Sequence, residues 1–207
     1  VCYQNLEDVF GQVSKRMTQY ISKKLNLDLK KAKKLQTNYF HKYNTSLNGL
    51  MMHHEIDPKN FLDYVHDINL DVIKKDLNLN NELTNLKAKK FCYTNGSRSH
   101  ALNVLSRLGI IDQFDGIFDI VDANYVPKPV MEPYKIFIKK FNIKPEEAAF
   151  VEDIAQNLKS PKELGMKTVW LENEEAWGKK HSNKDFIDLK IKNLSSFLKE
   201  INILKVA

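Results

Sequence analysis

Apolar residues recur at helical spacing through the first third of the chain. Phe10, Val13, Met17, Tyr20, Ile21 and Leu25 fall on one helical face, and Ala32, Leu35 and Tyr39 repeat the pattern after Asp28, a residue suited to an N-cap. Asp57 and Pro58 then read as a cap followed by proline at the first helical position, ahead of Phe61, Leu62 and Val65. Between these segments YNTSLNGLMMHHE (43–55) is polar, contains a glycine and reads as a loop or a broken helix. Residues 9–79 therefore predict a small all-helical unit.

From about residue 87 short apolar runs alternate with helical ones. KFCYT, GIFDIV, AAFV and KTVWL read as strands, and 98–108, 132–141 and 154–164 as helices, the first and last closed by Gly109 and Gly165. Alternation of this kind predicts an α/β fold, a doubly wound parallel sheet covered by helices on both faces. In such sheets ligands bind beyond the carboxyl ends of the strands. The residues just past each strand are therefore the candidate chemistry.

Composition narrows the class without changing this picture. Forty-three per cent hydrophobic residues in 207 supply one substantial core with a small accessory unit. The 32 Lys and Arg against 26 Asp and Glu give a formal charge of +6, but the basic residues are interleaved with acids along helices. That spread reads as a solvated surface, with general attraction for phosphorylated molecules as the second reading, and it forms no nucleic-acid stripe. Cys2 and Cys92 are too few for a disulfide framework and fit a reducing cytoplasm. No apolar run approaches the roughly 20 residues of a membrane span.

After the first strand comes TNGSRSH (94–100), where Thr94, Asn95 and Gly96 at a helix entrance offer a hydroxyl and free backbone N–H groups to a phosphate. The same residues equally suit an ordinary helix cap. After the second, Lys128 stands between Pro127 and Pro129, whose rings pin the backbone and hold an ammonium in place. After the third, Glu152 and Asp153 are adjacent acids, for which a hard cation such as magnesium is the economical explanation, with Asn157 four residues beyond Asp153. Capping and solvation are the plainer alternatives. A hydroxyl, a lysine and a metal-binding acid pair at successive strand ends are the components of phosphoryl transfer.

These residues resemble the haloacid dehalogenase-like (HAD) phosphohydrolases, and among them the pyrimidine 5'-nucleotidase-like branch. The resemblance rests on VFGQVSKRMTQYI, YNTSLNGL, YTNGSRSHALNVLSRLGIIDQFDGIFDI, KPVMEPY and FVEDIAQNL, in that order. It implies that Thr94 binds the phosphoryl oxygen with Asn95 and Gly96 beside it, that Lys128 stabilises nucleophile and phosphoryl charge, and that Asp153 with Glu152 holds Mg2+. It further implies that residues 9–79 are a helical cap presenting Asn44, Thr45 and Asn48 to the substrate, and that 80–207 are the α/β core. Substitution of Lys128 by alanine is then expected to abolish turnover with little loss of fold.

The family's first motif, a strand ending in D-x-D with the nucleophilic aspartate, occurs nowhere in the 207 residues. Asp119 and Asp122 in DIVD are three apart and follow the wrong strand. The expectation is that D-x-D lies upstream of Val1, that residues 1–8 are the remnant of its connection to the cap with Tyr3 just ahead of it, and that the 207 residues alone are inactive. The intact protein is expected to be a magnesium-dependent phosphatase of a nucleoside monophosphate such as UMP or CMP, as monomer or homodimer. A non-catalytic phosphate binder, a phosphoglycolate-type phosphatase and a haloacid dehalogenase are the alternatives. His53 and His54 read as exposed or as substrate contacts.

Overall fold

A computed structural model describes residues 6–173 and 175–204. Cys2 and Tyr3 lie outside them, as does most of the expected connection 1–8. The first four helices are α1 (Leu6–Leu25), α2 (Leu29–Tyr43), α3 (Ser46–His53) and α4 (Pro58–His66). Asp28 caps α2 by accepting from the Lys31 amide, and Asp57 caps α4 by accepting from the Lys59 and Asn60 amides, as the sequence predicts. The stretch 43–55 is the broken-helix alternative. Asn44 takes a left-handed conformation at φ 68°, which ends α2, and the Thr45 hydroxyl accepts from the Asn48 amide to begin α3.

The turn lets α3 fold back closely on α2. A Cβ placed on Gly49 would stand 2.5 Å from Cγ of Tyr39, a buried ring. The Gly49→Ala protein is accordingly expected to lose about 1–3 kcal/mol of stability despite alanine's better helix propensity. Equilibrium denaturation checks this, and a stabilised variant would show that the two helices are not in close contact.

Helix α5 (Leu77–Asn85) belongs to the α/β half. Its Leu79 and Leu83 pack with Val104, Leu105, Leu108 and Leu198, so the boundary expected between residues 79 and 80 runs through a helix seated on that half. The remaining elements are β1 (Phe91–Tyr93), α6 (Arg98–Leu108), β2 (Gly116–Phe118), α7 (Met131–Phe141), β3 (Ala149–Glu152), α8 (Lys159–Glu163), β4 (Lys167–Leu171), α9 (Ala176–Lys179), β5 (Leu189–Ile191) and α10 (Leu194–Leu204). Gly109 closes α6 at φ 74° with its amide on the Leu105 and Ser106 carbonyls. The helix predicted over 154–164 instead divides into a 3-10 turn, Ala155–Leu158, and the short α8. Pro161 has no N–H for the Asn157 carbonyl four residues back, and that oxygen accepts from the Tyr134 hydroxyl at 2.7 Å.

All strand pairs are parallel. β1 pairs β2 with Tyr93 opposite Phe118, and β3 pairs β4, which pairs β5. Among the described residues no ladder joins β1 to β3, so the expected single sheet is present as two sheets, of two and three strands. The architecture is nonetheless α/β with a helical unit above it. A single apolar cluster runs from Val13, Ile21, Leu50, Phe61 and Val65 of the helical unit to Phe118, Tyr134, Phe150 and Trp170 of the α/β half. Burial of these side chains, each contributing roughly 1.5–3 kcal/mol, ties the two halves together.

Candidate active site

A cavity of about 500 Å³ lies where α1–α4 meet the carboxyl ends of β1 and β3. Thr94, Asn95, Gly96, Lys128, Glu152 and Asn157 line it from the α/β side, and Asn44 and Thr45 from the helical side. Most of the sequence-predicted site residues are thus brought together in one cleft.

The turn after β1 is ordered by its own polar groups. The Gly96 amide donates to the Thr94 hydroxyl at 2.9 Å, and Ser97 caps α6 by accepting from the His100 amide. Asn95 reaches across to the Lys128 loop, where its carbonyl oxygen accepts from the Lys128 amide at 2.9 Å. That bond fixes the lysine's backbone directly, in addition to the constraint from the flanking prolines.

Lys128 is not a surface lysine, since only 6% of its side chain is exposed. Its ammonium donates to the Tyr93 carbonyl at 3.2 Å and to a Glu152 carboxylate oxygen at 3.1 Å, so it joins the ends of β1 and β3. An ammonium has three N–H groups, and these two bonds leave one for an oxygen in the cavity. The other Glu152 oxygen accepts from the Asn157 side-chain amide at 2.6 Å. Burial with the Glu152 charge close by pushes the Tyr93 hydroxyl well above the ordinary phenol range, so it stays protonated.

One expected metal ligand has protein partners in the structure. The sequence makes Glu152 a metal ligand beside Asp153, but both of its carboxylate oxygens are engaged by protein donors and its charge is neutralised by Lys128. Asn157 follows the same rule: its amide turns to Glu152, the residue five before it, because the chain enters a 3-10 turn there. Asp153 is half-buried one residue past β3, its backbone carbonyl accepting from the Trp170 indole at 3.1 Å, and it is not among the residues lining the cavity. The described residues contain no group of three or more His, Cys, Asp or Glu placed to hold a metal ion. The described residues at this strand end thus do not by themselves complete a magnesium site.

On the helical side the expected residues separate. Asn44 and Thr45 face the cavity, but Asn48 donates from its side-chain amide to the Tyr43 carbonyl at 3.0 Å and does not line it. His53 and His54 are hydrogen-bonded to the Tyr43 and Tyr39 hydroxyls and are also absent from the lining. Of the other histidines that line it, His41 lies on α2, and the remaining two are His66 at the end of α4 and His100 in the first turn of α6. Neither stands out in the sequence, where each is a lone histidine 34 residues from the other. Asp119 and Asp122 serve structure. Asp119 accepts from the Arg98 amide, and Asp122 pairs with Arg98 and Lys140.

The haloacid dehalogenase-like hydrolase family model matches residues 4–171, most of the chain and both halves of the cleft. The chain belongs to this family. It is 27% identical over 192 residues to Phosphate metabolism protein 8 of Saccharomyces cerevisiae, covering 81% of this chain and 60% of that protein. It is 37% identical over 93 residues to the glyceraldehyde 3-phosphate phosphatase of Pyrococcus furiosus, covering 42% and 38% respectively. The chain thus spans less than two thirds of the length of both curated relatives. The crystal structure of a HAD phosphatase from Thermococcus onnurineus superposes at a TM-score of 0.60 with 18% identity, covering 96% of this chain and 91% of that one. No described helix is long and apolar enough to cross a membrane.

Proposed function

We propose that the intact protein is a phosphomonoester hydrolase whose substrate is a nucleoside 5'-monophosphate, with UMP and CMP the first candidates. The observation that carries this reading is the Lys128 ammonium, fixed between the ends of β1 and β3 and facing the same cavity as Thr94 and the Gly96 turn. A single fixed cation, a hydroxyl and backbone N–H groups suit a phosphoryl group. Glu152 offsets the Lys128 charge, while Lys33 and Lys180 elsewhere on the lining keep the cavity net basic, which suits a phosphorylated ligand.

In the proposed reaction the first aspartate of D-x-D attacks phosphorus as its carboxylate and the P–O bond to the alcohol breaks, the second aspartate giving the alcohol its proton and later taking one from the attacking water. Water then hydrolyses the aspartyl-phosphate and frees phosphate and the carboxylate. The 207 residues have no D-x-D, and in this reading the aspartate belongs to the intact protein. Thr94 and Lys128 hold the phosphoryl oxygens, while Asn44 and Thr45 bound the cavity from a cap made of α1–α4, over an α/β core that α5 joins. Magnesium, when bound, supplies charge neutralisation, and Asp153 is the residue proposed to hold it.

A screen of phosphorylated metabolites against the intact protein, with and without magnesium, tests this. Pyrimidine monophosphates are expected to be turned over fastest and only with the ion. The Asp153→Asn protein is expected to keep its fold and lose about 100-fold or more in turnover. Near-normal activity of that variant would sink the assignment. The 207-residue chain alone is expected to bind phosphate without hydrolysing the ester.

A further inference from the structure

His66 and His100 stack face to face, ring centroids 4.2 Å apart and 10° from parallel, one from the helical unit and one from the α/β half. The His66 Nδ1 is hydrogen-bonded to the Ser97 hydroxyl at 2.9 Å, which leaves Nε2 as its available nitrogen. That atom stands 3.6 Å from where a Gly96 side chain would begin, a point also 3.3 Å from the Thr94 hydroxyl oxygen. The glycine therefore keeps open the space on which the hydroxyl and the imidazole converge. The His100 Nδ1 is buried and has no hydrogen-bond partner among the described residues. His100 is also a lining residue of the cavity, and a buried polar nitrogen left without a partner there calls for one.

We propose that His66 and His100 form an uncharged hydrogen-bonding point for a phosphoryl oxygen, added to Thr94 and Lys128. The inference rests on the hydrolase reading and deepens it. Burial, and the neighbouring His100, hold the His66 imidazole down to about 3 against the opposing pull of Asp63, and burial lowers His100 as well. Both rings are neutral at pH 7 and donate or accept without adding charge to the Lys128–Glu152 pair. Because His66 ends α4, the contact also makes the helical unit part of the phosphate site, and binding requires the two halves to be together.

Calorimetric titration of inorganic phosphate and of UMP into the intact protein tests this with four variants. His66→Ala and His100→Ala are expected to weaken both ligands about 5- to 20-fold. His66→Gln and His100→Asn, whose amides replace Nε2 and Nδ1, are expected to return within about 3-fold of wild type. Wild-type affinity in an alanine variant that melts normally overturns the proposal, and so does equal weakening by alanine and its amide counterpart, which marks a structural role. A wild-type protein that binds neither ligand overturns the hydrolase reading itself.

Discussion

The Lys128→Ala protein is expected to lose about 3–5 kcal/mol of folding stability along with its phosphate affinity. The sequence reads the residue as a catalytic lysine pinned by its flanking prolines, and on that basis its removal is expected to spare the fold. The structure reverses this expectation. Its ammonium is 6% exposed and pairs with an equally buried Glu152, so alanine leaves a carboxylate in the interior with only the Asn157 amide as partner. The Tyr93 carbonyl loses its bond to the ammonium as well. Replacing both charges, as Lys128→Met with Glu152→Gln, removes the uncompensated charge and keeps side chains of similar volume. This double variant is expected to recover most of the stability, because well-packed neutral replacements of a buried pair are often neutral. It is not expected to recover phosphate binding, which should stay about 10- to 100-fold weaker than in the wild type for want of a charge-assisted donor. Urea denaturation and phosphate titration of the two proteins separate the effects. A stable single variant would show that the pair is solvated.

Local rules in the chain carried the fold. The N-caps at Asp28 and Asp57 and the C-cap at Gly109 each act through atoms within a few residues, and the observed helices begin or end there. Strands β1 to β4 were legible from short apolar runs, whereas β5, with Leu189 and Lys190 exposed, has no such run to read. The division of 154–164 was not legible because it depends on Tyr134, distant in sequence, taking a helical carbonyl that Pro161 leaves open. Thr94, Asn95, Gly96 and Lys128 could be found because strand ends in a parallel sheet converge on one edge. Partnering was another matter. Adjacent acids suggested a cation, but the cation beside Glu152 is a lysine 24 residues earlier, and only tertiary structure shows it. His66 and His100 carry no signal in sequence, since their meaning comes from being stacked across the two halves.

Tyr134 is the residue beneath this site, and its removal is expected to have the second large effect. It is completely buried, with ring centroids 5.1 Å from Tyr93 and 5.5 Å from Phe150, so it packs under the ends of both β1 and β3. Its hydroxyl is held far above the usual phenol range by burial first and then by the Glu152 charge, and as a protonated donor it satisfies the Asn157 carbonyl. Asn157 in turn holds Glu152, and Glu152 holds Lys128. Tyr134→Ala opens a cavity the size of a ring and is expected to cost about 3–5 kcal/mol. It should also weaken phosphate binding, because the strand ends that position Lys128 lose their common support. Tyr134→Phe keeps the ring and orphans one carbonyl, for an expected cost of about 1–3 kcal/mol. Its phosphate affinity should stay within about 3-fold of wild type, since the Asn157 amide still reaches Glu152. Denaturation and phosphate titration of the pair test this order. A phenylalanine variant as weak in binding as the alanine one would show that the hydroxyl, not the packing, sets the position of Lys128.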